Sequence, residues 1–456
     1  YSKVRYGYVG DETLTEFDDG LCMTEENMVS GYVAYLLSQG YSEESYTVSG
    51  DIWGQTLGTD ACPVLGGQTV YQVTDCQQVI TYSNTQHQNG THVYENGFCI
   101  WYDCYEPCGG SGTAEDPYTI ANAGQLYWFA AVVNEGYGTV AQNTAAHAKL
   151  TADIVVNEGT TNARVWVPIG VYDGSTGDGF GGIFDGDHHT VSGLYYPNDI
   201  SYVCVALFRC LKGESAEIRN VGLLDSYFYN FAGAAIVGYN EGGTVKNCYN
   251  ASKIHAGHNA AGIVGRNKGL ITYCYNTGEF PYHPLSAGGI AVENYGTISN
   301  CYNAGDFVLC NKFGGIACEN FNGVIRDCYN TGELHGTNGG GITYSGGTVT
   351  NCYSTGRVSC LDLGSGIATK ATVENCYYLE GTYHSSRYED YLVLVGVEAT
   401  KTAEEFSSGE VAYLLQSNCE EQIWGQKLGE EEYPVFSDDV VYQNQIGGCT
   451  EENFAY

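Results

Sequence analysis

The chain has 456 residues and sets 53 Asp and Glu against 18 Lys and Arg, a formal charge of −35. So acidic a surface repels phosphate backbones and lacks the basic face that docks on anionic lipid, which excludes nucleic acid and membrane surfaces as partners. No stretch approaches the ~18 apolar residues of a spanning helix, so no membrane insertion is expected. Sixty-two glycines and only 8 prolines imply many tight turns, and 40 tyrosines beside 2 methionines are unusual. Nineteen cysteines fit an oxidising extracellular setting or a metal protein, and their odd number leaves at least one outside any disulfide within the chain. The chain starts at Tyr1 without an initiator Met or a signal peptide, which reads as a processed or excised piece.

Residues 1–75 read as a copy of the chain's own C-terminal end. "SGYVAYLL" (30–37) recurs as "SGEVAYLL" (408–415), "IWGQTLG" (52–58) as "IWGQKLG" (423–429), and "CPVLGGQTVYQ" (62–72) as "YPVFSDDVVYQ" (433–443). Residues 76–110 form a small Cys- and His-rich module holding Cys76, His92, Cys99, Cys104 and Cys108. Tetrahedral zinc would take Cys76, His92, Cys99 and either Cys104 or Cys108. The four-residue gap between Cys99 and Cys104 is wider than a CxxC pair, and two disulfides among the four cysteines suit a secreted chain. Either outcome gives the module a structural role.

Over 111–149 the spacing predicts a helical N-terminal cap. Leu126, Phe129, Ala130 and Val133 fall at i, i+3, i+4 and i+7, with Asn122 as the cap residue and Gln125 three residues on. A short helix here would cover the apolar end that a solenoid exposes.

Residues 150–400 carry a repeat. Cys248, Cys274, Cys301, Cys328, Cys352 and Cys376 are 26, 27, 27, 24 and 24 residues apart, each followed by a tyrosine: Tyr249, Tyr275, Tyr302, Tyr329, Tyr353 and Tyr377. A second landmark keeps step: "AAIVG", "AGIVG", "GGIAV", "GGIAC", "GGITY" and "SGIAT". Short β-branched pieces lie between, too short for a two-helix repeat and without an LxxLxL pattern. The unit fits one coil of a right-handed parallel β-helix of about 24–27 residues per coil, a mainly β fold. Stacked coils set like residues above one another about 4.8 Å apart. Cysteine then fills an inward position, tyrosine builds an outer stack, and Asn and Gly make the turn. Side chains of neighbouring coils run parallel, which favours thiols over disulfides in this row. None has a recurrent His neighbour, so they pack rather than attack.

Residues 401–456 read as the C-terminal cap, opened by a capping box of Thr402 and Glu405. Two acidic stretches invite chemistry. Asp173, Ser175 and Asp178 are spaced like a crude calcium loop but lack the distal bidentate Glu. Asp185, Asp187, His188 and His189 cluster in "FDGDHH", either as a metal or acid–base site or as a turn between strands. Structural Zn or Ca is thus the extent of the cofactor expectation, and no catalytic residue stands out.

The run "YTIANAGQLYWFAAVVN … AKLTADIVVN … VWVPIG … FGGIFDGDHHTVSGLYY … VALF … GIVGRNKG" resembles the bacterial surface proteins that carry GLUG-motif repeats, which also occur beside the protease domain of immunoglobulin A1 peptidases. The resemblance covers about residues 111–440 and is most specific over 120–280. "GIAVENYG" and "GIACENFNG" lose the second glycine and "GITYSGG" is shortened, so those coils are expected to turn differently. The resemblance implies a β-helical body in a secreted or cell-wall protein of Gram-positive, often gut-dwelling bacteria. It brings no catalytic residue, because the HExxH zinc-protease motif is absent. The expected function is a non-enzymatic extracellular structural or adhesive module. The duplicated ends, 371 to 378 residues apart, suggest one period of a longer array or a head-to-tail filament whose partner is another copy. A glycan- or host-ligand-binding adhesin is the alternative, and a polysaccharide-active β-helix enzyme comes third.

Overall fold

A computed structural model describes residues 7–9, 20–22, 25–39, 53–65, 67–74, 80–83, 92–100, 104–172, 179–197, 204–386, 395–445 and 454–455. The chain forms two compact units, Tyr1–Glu106 with Tyr137–Ala141, and Pro107–Gly136 with Gln142–Tyr456.

The second unit is a parallel β-solenoid of about nine turns. One coil runs through Val264–Asn267, Leu270–Thr272, Tyr275–Asn276 and, after a longer loop, Ser286–Gly288. The next coil repeats this path in register, pairing Ile271 with Ile298, Tyr275 with Tyr302, Asn276 with Asn303 and Asn267 with Asn294. Like residues therefore stack on like. Val245, Ile271, Ile298 and Ile325 form one inward row, and Ile263, Ile290, Ile316 and Ile342 another, all without solvent exposure. The glycine before each isoleucine of the second row is a packing requirement. A Cβ on Gly289 would lie 2.1 Å from the Gly315 carbonyl oxygen and 2.5 Å from the Asn303 amide carbon of the neighbouring coil.

Two rows of asparagine bind the coils from inside. Asn240, Asn267, Asn294 and Asn320 are fully buried, and each Nδ2 donates to the Oδ1 of the next at 2.8 Å. Asn250, Asn276, Asn303 and Asn330 do the same at 2.8 Å. Each amide also closes a local turn. The Asn276 Nδ2 donates to the Gly278 carbonyl at 2.9 Å, and the Gly278 N–H donates back to Oδ1 at 3.2 Å. With both polar ends satisfied, burying the amide costs little and the row sets register. Asparagine thus makes the turn while facing inward.

The corner before each ladder cysteine is left-handed. Asn247, Tyr273, Asn300, Asp327, Asn351 and Asn375 have φ between 50° and 54°, a region Asn and Asp tolerate best among residues with a side chain.

At the start of the solenoid, Tyr118–Ile120 pairs with Ala148–Leu150, and the helix Ala123–Asn134 packs over the first coils. Asn122 caps it, accepting from the Gln125 N–H at 2.9 Å, while the Gln125 side chain accepts from the Ala121 N–H at 2.8 Å. Nine of its twelve residues are buried, so it is enclosed rather than amphipathic. Phe129 meets Phe180 and Phe184 of the coils at 5.9 and 6.0 Å, and the chain returns over the other face, where the Asn143 N–H donates to the Val132 carbonyl.

At the other end, Val395–Lys401 adds a last parallel strand along Thr372–Leu379. The helices Ala403–Ser407 and Glu410–Gln416 follow, then an antiparallel pair of Trp424–Gly425 with Val435–Phe436. The capping box of Thr402 and Glu405 is present in both directions. The helices and hairpin lie against the flank of the last coils rather than across their end.

The first unit contains the same cap fold. Helices Glu25–Val29 and Tyr32–Gln39 precede an antiparallel pair of Trp53–Gly54 with Val64–Leu65. Gly31 and Gly409, at the helix junctions, have φ of 87° and 91°. Buried Gln55 donates from Nε2 to the Met28 and Asp60 carbonyls at 2.9 Å each. Buried Gln426 donates to the Phe406 and Glu431 carbonyls at 3.0 and 2.9 Å. Two segments joined by one glutamine in the same way are one fold used twice.

Candidate functional site

The ladder cysteines are all buried thiols, and the tyrosines beside them point outward. The Cys248 and Cys274 amides each lie 3.4 Å from the sulfur of the following ladder cysteine, while each Sγ turns back to a main-chain carbonyl two residues earlier. Burial pushes the Cys248, Cys301 and Cys352 thiols well above their ordinary value. Burial shuts all six away from reagents, and these three are poor nucleophiles.

The tyrosine rings stack at 5.0, 4.9, 4.8 and 5.0 Å from Tyr249 to Tyr353, tilted by no more than 4°. The stack opens over Gly222, whose missing side chain leaves room for the Tyr249 ring. Tyr249, Tyr275 and Tyr302 remain partly exposed. The C-terminal cap covers the other end: Tyr353 and Tyr377 join Phe406, Val411, Leu415 and Trp424 in one buried cluster. Phe436 and Trp424 meet Tyr329 at 5.2 and 6.0 Å, Trp424 meets Tyr353 at 5.6 Å, and the Tyr353 hydroxyl donates to the Pro434 carbonyl at 2.6 Å. This is an intramolecular interface, with an aromatic wedge from the cap on an aromatic row from the coils. In the first unit the position of Phe436 is taken by Leu65, which is 70% exposed; the position of Trp424 is taken by half-buried Trp53.

Among the module residues, the structure brings together the His92, Cys99 and Cys104 ligand atoms, all within 4.8 Å of one another. Cys108 belongs to the second unit, where its Sγ approaches the Gln125 carbonyl at 3.3 Å. Cys76 lies outside the described residues, as do Asp173, Ser175 and Asp178 of the calcium-like loop.

The residues of "FDGDHH" separate into polar contacts between coils and a local turn. Asp185 accepts from Arg219 Nε, Asn220 Nδ2 and the Asp187 N–H, each at 2.9 Å. Burial pushes its carboxyl up, but these donors outweigh that and hold it below the usual carboxylate range. Asp187 pairs with Lys149 at 2.9 Å and His189 with Asp153 at 3.3 Å. Asp187 and His188 turn the corner, with φ of 47° and 68°. An anchored low-pKa carboxylate is a poor general base at neutral pH, and the arrangement is that of a turn.

A cleft of about 620 Å³ separates the cap from the corner row, lined in part by Arg326, Asp327, Asn351 and Cys419. Burial, reinforced by Asp327, pushes the Cys419 thiol up to about 12, so it supplies no thiolate at neutral pH.

Sequence reasoning missed an aromatic patch on another face. Tyr227 lies 5.8 Å from Tyr195, 6.2 Å from Tyr229 and 4.8 Å from His255, and Tyr282 closes the group at 4.9 Å from His255. Tyr229 and Tyr282 are exposed. The only signal was a local excess of tyrosine in "SYFYN", since Tyr282 arrives from two coils later.

No protein-family model and no curated protein matches this chain. Among solved structures it is similar to that of "a putative immunoglobulin A1 protease from Bacteroides ovatus", at 22% identity and a TM-score of 0.44, over 72% of this chain and 94% of that one.

Proposed function

We propose that this chain is a non-enzymatic extracellular β-solenoid of the GLUG-repeat kind, secreted or held at a bacterial cell wall, that assembles with further copies of itself. The observation carrying this reading is the duplicated cap. The C-terminal copy seats Trp424 and Phe436 on the tyrosine row. The N-terminal copy has the same fold but leaves Leu65 70% exposed at the Phe436 position, and Tyr249, Tyr275 and Tyr302 continue the same row uncovered by the cap. The first cap of one copy docks on the open tyrosines of a second. Such a contact joins two different surfaces, so it propagates into open filaments. An apolar contact suits a chain of net charge −35, whose copies repel one another electrostatically.

Sedimentation velocity over a concentration series tests this. The intact chain is expected to associate, and Leu65→Asp to shift it to monomer, because a buried carboxylate without a partner is costly. Association undiminished in Leu65→Asp and in Tyr275→Ala would overturn the docking surface.

A glycan-binding adhesin is the second reading, and the patch around Tyr229 and Tyr282 favours it over the ladder. Ladder rings spend both faces on each other and offer only edges, whereas sugars stack on faces. A glycan array probed with the intact chain and with Tyr282→Ala separates the two readings.

A further inference from the structure

The first unit carries a cluster that its cap fold does not explain. Tyr94–Glu95 and Phe98–Cys99 form a tight hairpin turned by Asn96 and Gly97, with φ of 48° and 76°. Two left-handed residues in succession make the type I′ turn that matches strand twist. The strand after it folds back: the Cys99 N–H donates to the Cys104 carbonyl at 3.0 Å, Phe98 bridges to Tyr105, and the Glu106 N–H donates to the Gly97 carbonyl at 2.7 Å. Tyr105 is fixed in turn, its N–H donating to the Tyr137 hydroxyl at 2.9 Å and its ring stacking on Tyr137 at 5.3 Å. The backbone thus holds Cys99 and Cys104 side by side before any ligand arrives. Both are buried, at 8% and 1% exposure, and His92 enters from the strand edge, with Nδ1 3.6 Å from each sulfur.

That distance has chemical content. Zinc at about 2.3 Å from sulfur and about 2.0–2.1 Å from nitrogen, with tetrahedral angles, sets S and N about 3.6 Å apart. A neutral thiol row needs no such convergence, and the ladder cysteines of the solenoid do not meet a histidine. We propose that His92 Nδ1, Cys99 Sγ and Cys104 Sγ bind one zinc ion as a structural centre of the first unit. These are the ligands that the described residues bring together. Zinc binds the thiolates, so each cysteine releases its proton to solvent on binding and the metal is lost as pH falls. The strongly acidic chain raises the local concentration of divalent cations around the centre.

The test uses the intact chain, expressed in zinc-supplemented medium and dialysed against metal-free buffer, with zinc measured by mass spectrometry. One zinc per chain is expected, falling to none in His92→Ala and in Cys99→Ser and unchanged in Cys108→Ser. Cobalt(II) substituted for zinc in the unaltered chain should give a tetrahedral visible spectrum with charge-transfer intensity for at least two thiolates, a readout independent of whether any variant folds. Less than stoichiometric zinc in the unaltered chain, full zinc in His92→Ala, a cobalt spectrum without thiolate charge transfer, or a Cys99–Cys104 disulfide in peptide maps of the native protein would each overturn the assignment.

Discussion

Tyr273 sits at the corner position that Asn247, Asn300, Asp327, Asn351 and Asn375 fill in the other coils, at the same left-handed φ of 54°. Its neighbours link by amide contacts, as from Asn247 Nδ2 to Asn220 Oδ1 at 3.1 Å and from Asn351 Nδ2 to Asp327 Oδ1 at 3.3 Å. A tyrosine can neither continue that row nor relieve the Cβ crowding of the left-handed region. Tyr273→Asn is therefore expected to stabilise the solenoid by about 1 kcal/mol, read as a higher denaturant midpoint of the solenoid transition; an unchanged or lower midpoint would count against the corner account. Sequence alone made the Cys–Tyr pair legible because both residues repeat at one period. It gave asparagine as a turn residue but left its burial hidden. Whether Asn276 faces inward depends on Asn250 and Asn303, 26 and 27 residues away, meeting it amide to amide.

Within the coils, several buried thiols and phenols make a contribution to stability that falls as pH rises. Burial pushes the Cys204, Cys310 and Cys360 thiols from 9.0 up to about 12. Burial, then the neighbouring phenol, raises Tyr302, Tyr329 and Tyr353 from 10.0. The folded state holds these protons where the unfolded chain releases them. Their contribution is fully present below pH 9 and is lost as pH rises between about 9 and 12 for the thiols, and from 10 upward for the phenols. Base titration followed by circular dichroism should show stability falling from about pH 9; a flat profile to pH 12 would contradict the buried rows. The "FDGDHH" stretch shows why local clustering misled at this scale. Its charged groups are adjacent in sequence, but their partners Lys149, Asp153 and Arg219 come from other coils. No single segment displays that pairing.

At the scale of the molecule, the sequence displayed the cap duplication but not what a cap rests on. It read as a lid for the solenoid end, because an open sheet edge is the familiar hazard. In the structure the strand Val395–Lys401 extends the sheet by one more parallel strand, and the helices and hairpin take the tyrosine flank. That seat motivates the docking proposed for the N-terminal copy, since the tyrosine row recurs along the coils every 24 to 27 residues. Under the proposed docking, the solenoid would serve as both scaffold and receptor. Electron microscopy of the intact chain at neutral pH and rising concentration tests this most directly. Open filaments with a regular axial repeat are expected; single unassociated particles at every concentration would contradict the proposed docking.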